Sequence, residues 1–209
     1  MTTTSLSVRS AANQTESEQL GSLAGAAFSP DVPAAQYQEF WQKMLTHAAD
    51  IQPDSQRVVV DPATGHVLGG YLLRQRTLCI GPARLLTGCI GGVVVAPTAR
   101  KRGIASLLMG DAIEYTANHQ LALLFLTGIP NFYHRFDFAP VLDWSDTKLD
   151  RSELRTVPRP QTVTVRAGGV EDAPALLALY RAGYLAHPGS FDRQLDEQIV
   201  RLRHLGDRQ

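Results

Sequence analysis

The chain has 209 residues, of which 44% are hydrophobic and 19% charged, and its basic and acidic side chains balance to a formal net charge of zero. That length allows one sizeable core with a remainder, and the neutral balance argues against a general nucleic-acid or polybasic membrane role. Cys79 and Cys89 make no disulfide framework, and no spacing of cysteines and histidines indicates a metal site. The N-terminus lacks an apolar signal core and no run approaches the ~20 residues of a membrane span, so we expect a cytoplasmic protein.

The first part of the chain predicts a strand followed by two helices. "SLSVRSA" has strand character, and the polar stretch "NQTESEQ", with Thr15 or Ser17 as candidate caps, leads into a helix over "LGSLAGAAF". "PDVP" ends that helix, and helical spacing resumes in "PAAQYQEFWQKMLTHA".

An antiparallel meander of three strands is predicted next. "QRVVVD" and "VLGGYLLRQRTLCI" are joined by the Pro/Gly turn "PATGH", and "GPAR" turns the chain into "LLTGCIGGVVVAP". The last of these strands is nearly all apolar, so we expect it to be buried on both faces.

The following elements complete an α/β pattern. "LALLFLTG" predicts a fourth buried strand, "NFYHRF" a short turn or helix, and "DFAPVLDWSDTKLD" another strand. This order implies a right-handed βαβ unit inside a mixed sheet flanked by helices, over residues 1–150. The helix inside that unit places five side chains on one side, namely Ile104, Leu107, Leu108, Ala112 and Tyr115.

A second, shorter region follows this domain. Residues 151–161 are polar and contain prolines, which is typical of a linker. Residues 162–209 then repeat the opening order of strand, acidic cap and helix, with Val165–Arg166 matching Val8–Arg9 at an offset of 157 residues. We interpret them as the start of a second unit of the same kind or as a helical appendage.

Segment 98–106, between the apolar third strand and the helix, carries Arg100, Lys101 and Arg102. Cations are unfavourable at a helix N-terminus, which already carries about half a positive charge, but a docked pyrophosphate reverses that effect. Gly103 would let backbone approach the phosphate without a Cβ in the way. The alternative is a solvated basic turn. P-loop and Rossmann sites are excluded because neither glycine motif occurs, which leaves another phosphorylated cofactor.

The run Arg100-Lys101-Arg102-Gly103-Ile104-Ala105, after a Val-x-Pro strand end, resembles the Arg/Gln-x-x-Gly-x-Gly/Ala loop of the GCN5-related N-acetyltransferases (GNAT). The resemblance implies that acetyl-CoA lies along the third strand, with its pantetheine arm on the backbone of Val93 and Val95 and its pyrophosphate on the loop. The alternative for this strand is plain core. The implied cofactor-binding residues are Val93, Val94, Val95, Arg100, Lys101, Arg102, Gly103, Ile104, Ala105 and Ser106.

Tyr133, in "NFYHRFDF", stands where GNAT enzymes often carry a tyrosine close to the cofactor sulfur. A thiolate must leave when an amine attacks a thioester, and a positioned phenol can protonate it. His134 and Arg135 could supply positive potential beside it. The alternative role is a core tyrosine with a satisfied hydroxyl.

Within GNAT, the loop, "YHRFDF" and the restart at residue 162 are most similar to the enhanced intracellular survival (Eis) family, whose members join two GNAT-like domains and a sterol-carrier-like domain and are hexameric. Asp137 departs from the glycine usual there. By this resemblance we expect a homo-oligomer. The terminal carboxylate thought to act as base in that family cannot be assigned in this sequence.

The apolar third strand carries no carboxylate that could deprotonate an amine, and Thr87 is its only hydrogen-bonding side chain apart from Cys89. The base therefore lies elsewhere, or comes from sequence outside this chain, or the chain is not catalytic. By resemblance to Eis-like enzymes, Asp31 and Trp41 are candidates for contacting the amine, since a carboxylate beside an aromatic face suits a cation. Asp31 as a turn residue and Trp41 as a core anchor are the alternatives.

Two functions from different classes remain. The first is an acetyl-CoA-dependent N-acetyltransferase acting on a primary amine by direct attack, with aminoglycosides, lysine side chains and polyamines as candidate acceptors. The second is a catalytically weak acetyl-CoA-binding regulatory or structural module of a larger protein. We expect a small-molecule or peptide amine as the partner, with no nucleic acid, membrane or metal.

Overall fold

The computed structural model describes residues 5–129, 131–141, 162, 164 and 166–206. Strand β1 (Val8–Ser10) is followed by helices α1 (Gln14–Phe28) and α2 (Ala34–His47). The cap of α1 is Asn13, whose side-chain oxygen accepts a hydrogen bond from the Glu16 N–H at 3.0 Å. The candidates Thr15 and Ser17 were wrong because the helix begins earlier, and both residues lie inside it.

The sheet confirms the predicted mixed α/β fold. Strands β2 (Gln56–Val60), β3 (Val67–Ile80) and β4 (Ala83–Val95) form an antiparallel meander, and helix α3 (Ile104–Asn118) crosses to β5 (Leu123–Leu126), which pairs parallel with β4. The strand order is β1-β2-β3-β4-β5. Because β4 and β5 are parallel neighbours joined by a helix, the predicted βαβ unit is present.

Two apolar layers cover the two faces of this sheet. Helix α3 packs on one face through side chains that include Ile104, Leu108 and Met109. Helices α1 and α2 pack on the other face through Leu20 and Trp41. None of the described helices has the length and apolar character needed to cross a bilayer.

A half-buried polar network fixes α3 to the sheet. Arg57 on β2 donates two hydrogen bonds to Asp111 on α3, at 2.9 and 2.7 Å, and the Tyr71 hydroxyl on β3 donates to the same carboxylate at 2.6 Å. Burial and the neighbouring Asp111 carboxylate raise the pKa of Tyr71, so its hydroxyl stays a donor. The network ties α3, and with it the loop at its N-terminus, to β2 and β3.

Burial is less complete than the sequence predicted in three places. The first residues of β4 are largely exposed, and Leu123 of β5 is 40% exposed because this strand is the edge of the described sheet. Leu107 is also exposed, since at about 100° per residue it falls outside the arc that Ile104, Leu108 and Ala112 bury.

The region after the expected linker contributes to the same sheet. Helix α4 (Ala173–Tyr184) follows a 3₁₀ turn, and a short strand β6 (Ser190–Phe191) pairs antiparallel with β3 before helix α5 (Leu195–Gly206). Residues 137–141 and 166–169 show no strand where one was expected; the remainder of those two expected strands (142–150, 163 and 165) and linker 151–161 lie outside the described residues. No pattern in the sequence predicted β6.

Candidate active site

The far half of β4 has no strand partner on its β5 side in the described part of the chain. Pairing between β4 and β5 ends at Ile90↔Leu126, whereas β4 continues to Val95. A bulge lies just past this point, because Gly70 pairs with Val94 while Leu72 pairs with Gly91. Strand β4 carries one extra residue in this bulge, which contains Gly92. The φ of Gly92 is 64°, a left-handed conformation that favours glycine. Strands β4 and β5 therefore part at Gly91, and from there the backbone edge of β4 that faces away from β3 is open.

The alternation of the backbone assigns which amides face that opening. The Ala96 N–H donates to the Leu68 carbonyl of β3 at 2.8 Å. Because successive N–H groups of a strand point to opposite sides, those of Val95 and Val93 point away from β3, toward the opening. Val94 faces the other way and its side chain is buried in the core between the sheet, α1 and α2. The backbone N–H groups of Val93 and Val95 are thus open to a ligand, whereas Val94 contributes its side chain to the core.

The open edge leads directly into the basic loop. A 3₁₀ turn (Pro97–Ala99) ends β4, and Arg100, Lys101 and Arg102 are all exposed. None of the three pairs with a carboxylate of the described residues. Lys101 at φ 62° and Gly103 at φ 77° are both left-handed. At position 103 the left-handed backbone favours glycine, whereas space does not, because a Cβ there would meet nothing within 4 Å.

Helix α3 begins at this loop without a side-chain cap. The first hydrogen bond of its N-terminal turn is donated by Leu107 to the Gly103 carbonyl, which leaves the N–H groups of Ile104, Ala105 and Ser106 without intrahelical partners. Free amides at a helix N-terminus together with three unpaired cations suit a diphosphate. An open backbone edge that leads into these amides and cations suits an extended ligand with an anionic end.

Tyr133 lies in a 3₁₀ turn (Tyr133–Phe136) after β5 and is half-buried against the core on the α3 side. Its ring contacts Phe132 edge-on at 4.9 Å between centroids, and its hydroxyl makes no hydrogen bond to the described residues. Burial raises the pKa of Tyr133, so the phenol is protonated at neutral pH. Arg135 lies over the rings of Phe132 and Phe136, at 4.2 and 4.8 Å.

Gly128 supports Tyr133 in a way that the sequence did not reveal. A Cβ at this position would lie 2.1 Å from Cε2 of the Tyr133 ring, so the ring rests directly on the Gly128 backbone. The only signal in the sequence is a glycine five residues before the tyrosine, which is too common to be informative by itself.

The two candidate amine-contacting residues lie in different surroundings. Asp31 is exposed in the turn between α1 and α2. Trp41 is only 3% exposed, with its indole against Gly21 of α1 and its ring tip about 4 Å from the Cβ position of Gly92. Its indole N–H has no hydrogen-bond partner among the residues that the structure describes. Burial therefore favours the core-anchor role for Trp41, directly behind the β4 bulge.

Comparison with known protein families identifies the family to which the chain belongs. The family model for the acetyltransferase (GNAT) domain matches residues 7–141, and the chain therefore belongs to the GNAT acetyltransferases. Members of this family use acetyl-CoA as the acetyl donor. No curated protein matches the chain.

Solved structures of the same fold include three of similar coverage. A conserved protein from Enterococcus faecalis V583 is 19% identical with a TM-score of 0.70, over 94% of this chain and 48% of that one. A GCN5-related N-acetyltransferase from Kribbella flavida is 19% identical with a TM-score of 0.69, over 95% and 50%. Eis1 from Mycobacterium abscessus is 18% identical with a TM-score of 0.60, over 97% and 48%. The chain spans about half the length of each of these structures.

Proposed function

We propose that the chain is an acetyl-CoA-dependent N-acetyltransferase that moves the acetyl group to a primary amine by direct attack. The observation that carries this proposal is the continuity of the unpaired β4 edge with the basic loop at the start of α3. The backbone of Val93 and Val95 would hold the pantetheine arm, and Arg100–Ser106 the pyrophosphate. Acetyl-CoA supplies the acetyl group activated as a thioester.

Tyr133 is the proposed proton donor to the departing sulfur. The amine nitrogen bonds to the acetyl carbon, the carbon–sulfur bond breaks, the nitrogen gives up one proton and the sulfur gains one. Amine and thioester therefore become amide and thiol with no other reactant. A phenol that burial keeps protonated, with no intramolecular hydrogen bond to the described residues, is free to donate in this step.

Aminoglycosides, lysine side chains and polyamines are the candidate acceptors. Eis-like character and a homo-oligomeric state are further parts of the proposal, supported by the sequence resemblance. A cytoplasmic location is also proposed, because no apolar run of the sequence approaches the ~20 residues of a membrane span. Asp31, exposed beside α2, stays a proposed contact for the amine.

A tandem organisation, with residues 162–209 opening a second GNAT-like unit, is also proposed. Arg9 makes a two-pronged ion pair with Glu16, which also accepts the Ala12 N–H. Arg166 makes the same kind of pair with Asp172, which also accepts the Gly169 N–H. The repeated arginine thus has the same local partners in both places, which supports the repeat.

A thiol-release assay with an amine panel, run beside calorimetry with acetyl-CoA, tests the function. We expect micromolar binding of acetyl-CoA and thiol release that depends on one class of amine. Binding of acetyl-CoA without turnover of any amine would favour the regulatory or structural module. The specific argument for that module is that β4 carries no carboxylate that could deprotonate an amine. Absence of acetyl-CoA binding would show that the assignment of the loop is wrong.

A further inference from the structure

A short segment after α4 attaches to the edge of β3 that faces away from β4. The Gly189 N–H donates to the Cys79 carbonyl at 2.8 Å, and the Asp192 N–H donates to the Thr77 carbonyl at 2.9 Å. Strand β6 lies between these two hydrogen bonds, and β3 pairs with β4 along its other edge. The region after the linker therefore adds a strand to the sheet of the first domain.

The Phe191 ring of β6 reaches across the sheet to β5. It meets the Phe125 ring edge-on, with 6.0 Å between the centroids. Strands β3 and β4 lie between β6 and β5, so the two backbones are about 14 Å apart at ~4.8 Å per strand, and the two side chains together span that distance. Phe191 thus contacts the strand that forms the parallel pair with β4.

Both the ring and the backbone of Phe191 are held by neighbouring side chains. The Arg76 guanidinium lies over the ring at 4.2 Å from its centroid. The same guanidinium pairs with Glu197 of α5 at 2.8 Å and with Asp50 at 3.5 Å, and the Arg76 side chain is only 13% exposed. The Tyr180 hydroxyl donates to the Phe191 carbonyl at 2.6 Å. The ring therefore has a defined position above the sheet.

A cavity of about 460 Å³ lies beside these contacts, on the α2 side of the sheet. Its walls are the C-terminal end of α2, residues 74–77 of β3, and residues 192–201 around the start of α5. Among the described residues, the ion pairs and ring contacts that join the two regions all involve Arg76 or Phe191. Because the cavity separates α5 from α2, these two side chains carry much of the contact between the regions.

Phe125 lies at the end of β5 that borders the proposed active site. The next residue, Leu126, is the last of β5 to pair with β4. Gly128 follows two residues later and supports the Tyr133 ring, because a Cβ on Gly128 would collide with that ring and would lie 2.8 Å from the Leu126 side chain. The place where β5 leaves β4 therefore determines where Tyr133 lies.

We propose that Phe191 is a positioning residue for acetyl transfer, which holds the end of β5 against β4 and thereby holds the Tyr133 phenol in place. The inference rests on the proposed function and deepens it, because a side chain from beyond the linker then supports the site of the first domain. Phe191 acts through Phe125 and not by contact with either substrate. Loss of the ring lets β5 shift and moves the phenol, while the β4 edge and the basic loop keep their contacts with acetyl-CoA.

Variants of the full chain test this role. Phe191→Leu and Phe125→Leu each remove one ring of the pair, and the double variant removes both. Leu179→Ala is the control, because it also truncates an apolar side chain of the later region but lies on α4 with 69% of its surface exposed. Steady-state kinetics give kcat and KM for the amine, and calorimetry gives the affinity for acetyl-CoA.

Amide exchange measured by NMR reports on β5 without any need for activity. The Ala122 N–H donates to the Leu86 carbonyl of β4, so by alternation the N–H groups of Leu124 and Leu126 also point toward β4. Their exchange rates are compared with those of the Val58 and Val59 amides on β2.

We expect each single variant to lower kcat about fivefold and to speed exchange at Leu124 and Leu126 by roughly fivefold or more, with KM and acetyl-CoA affinity within about twofold of wild type. The double variant should lose little more than either single variant, because the two rings act as one contact. Leu179→Ala should change none of these quantities, and exchange at Val58 and Val59 should stay the same throughout.

Unchanged kcat or unchanged exchange at β5, in a chain that binds acetyl-CoA and acetylates an amine, would overturn the role of Phe191 while acetyl transfer stands. Additive losses in the double variant, or a loss of acetyl-CoA affinity as large as the loss of kcat, would also overturn it, because a general structural role predicts both. Failure of wild type to bind acetyl-CoA or to acetylate any amine would instead overturn the proposed function.

Discussion

The two halves of β4 offer different kinds of surface to a ligand. Beyond Gly91 the strand exposes backbone groups and leads into unpaired cations, a surface suited to a long anionic cofactor. From Thr87 to Ile90 the strand is paired on both sides, and the cavity over its neighbour β3 is lined by side chains from distant segments. A backbone edge suits a ligand that every member of a family shares. A cavity of side chains can change its ligand without disturbing the fold.

The largest expected effect is on the chemistry at the boundary between these halves. Tyr133→Phe should lower kcat on the order of 10²-fold, because it removes the proton donor while keeping the ring. Because burial raises the pKa of the phenol above its ordinary value near 10, wild type should lose little activity through ionisation of this group as the pH rises from 7 to about 9. Steady-state kinetics with acetyl-CoA calorimetry measure both. A comparable loss of acetyl-CoA affinity would show a structural role instead.

The second largest effect is expected from charge reversal in the basic loop that follows the open half of β4. Arg100→Glu with Arg102→Glu should weaken acetyl-CoA binding roughly 30-fold, since each reversal of an exposed charge near the diphosphate is worth about 1 kcal/mol. The loss should shrink as salt is raised from 50 to 500 mM. Calorimetry at both salt concentrations measures it, and an affinity independent of charge would place the diphosphate elsewhere.

A smaller effect is expected where the Tyr133 ring rests on backbone. Gly128→Ala puts a Cβ 2.1 Å from that ring and must displace it, so kcat should fall about tenfold with acetyl-CoA affinity unchanged. Gly110→Ala in α3, where a Cβ meets nothing within 4 Å, is the control and should keep full activity. Equal kcat in both variants would mean that the position of Tyr133 is unimportant.

The smallest expected effect is on stability, behind the bulge. Gly21→Ala places a Cβ 2.8 Å from the Trp41 indole and should lower the free energy of unfolding by about 1–3 kcal/mol despite the better helix propensity of alanine. Gly110→Ala should raise it by up to about 1 kcal/mol. Urea unfolding of the two variants compares them, and stabilisation by Gly21→Ala would show that Trp41 is loosely packed.

Features made by contiguous residues could be predicted from the sequence, and features made by distant segments could not. The order of strands and helices along residues 1–150 predicted the fold. The loop and the strand before it are contiguous in sequence, so their spacing and charge were enough to name the implied cofactor residues within 93–106. The bulge at Gly92 and the contact of Gly128 with Tyr133 depend on strand register and on backbone approach, which no local pattern encodes.

The cavity was beyond sequence reasoning for a different reason. Its residues come from α2, β3 and a region about 120 positions later, as the pair between Arg76 and Glu197 illustrates. Pairing of β6 with β3 brings them together, and two residues of strand give no periodic signal. For Trp41 the sequence left an amine contact and a core anchor both open, and its burial, which depends on packing against α1, favours the core anchor.

The central claim is that the opened half of β4 and the start of α3 receive acetyl-CoA. Amide NMR of the full chain during titration with acetyl-CoA tests it most directly. The account predicts that the amides of Val93, Val95, Ile104, Ala105 and Ser106 shift and gain protection from exchange, while those of Val58 and Val59, inside the sheet on β2, stay unchanged. Saturable binding that leaves the first five amides unaffected would contradict it.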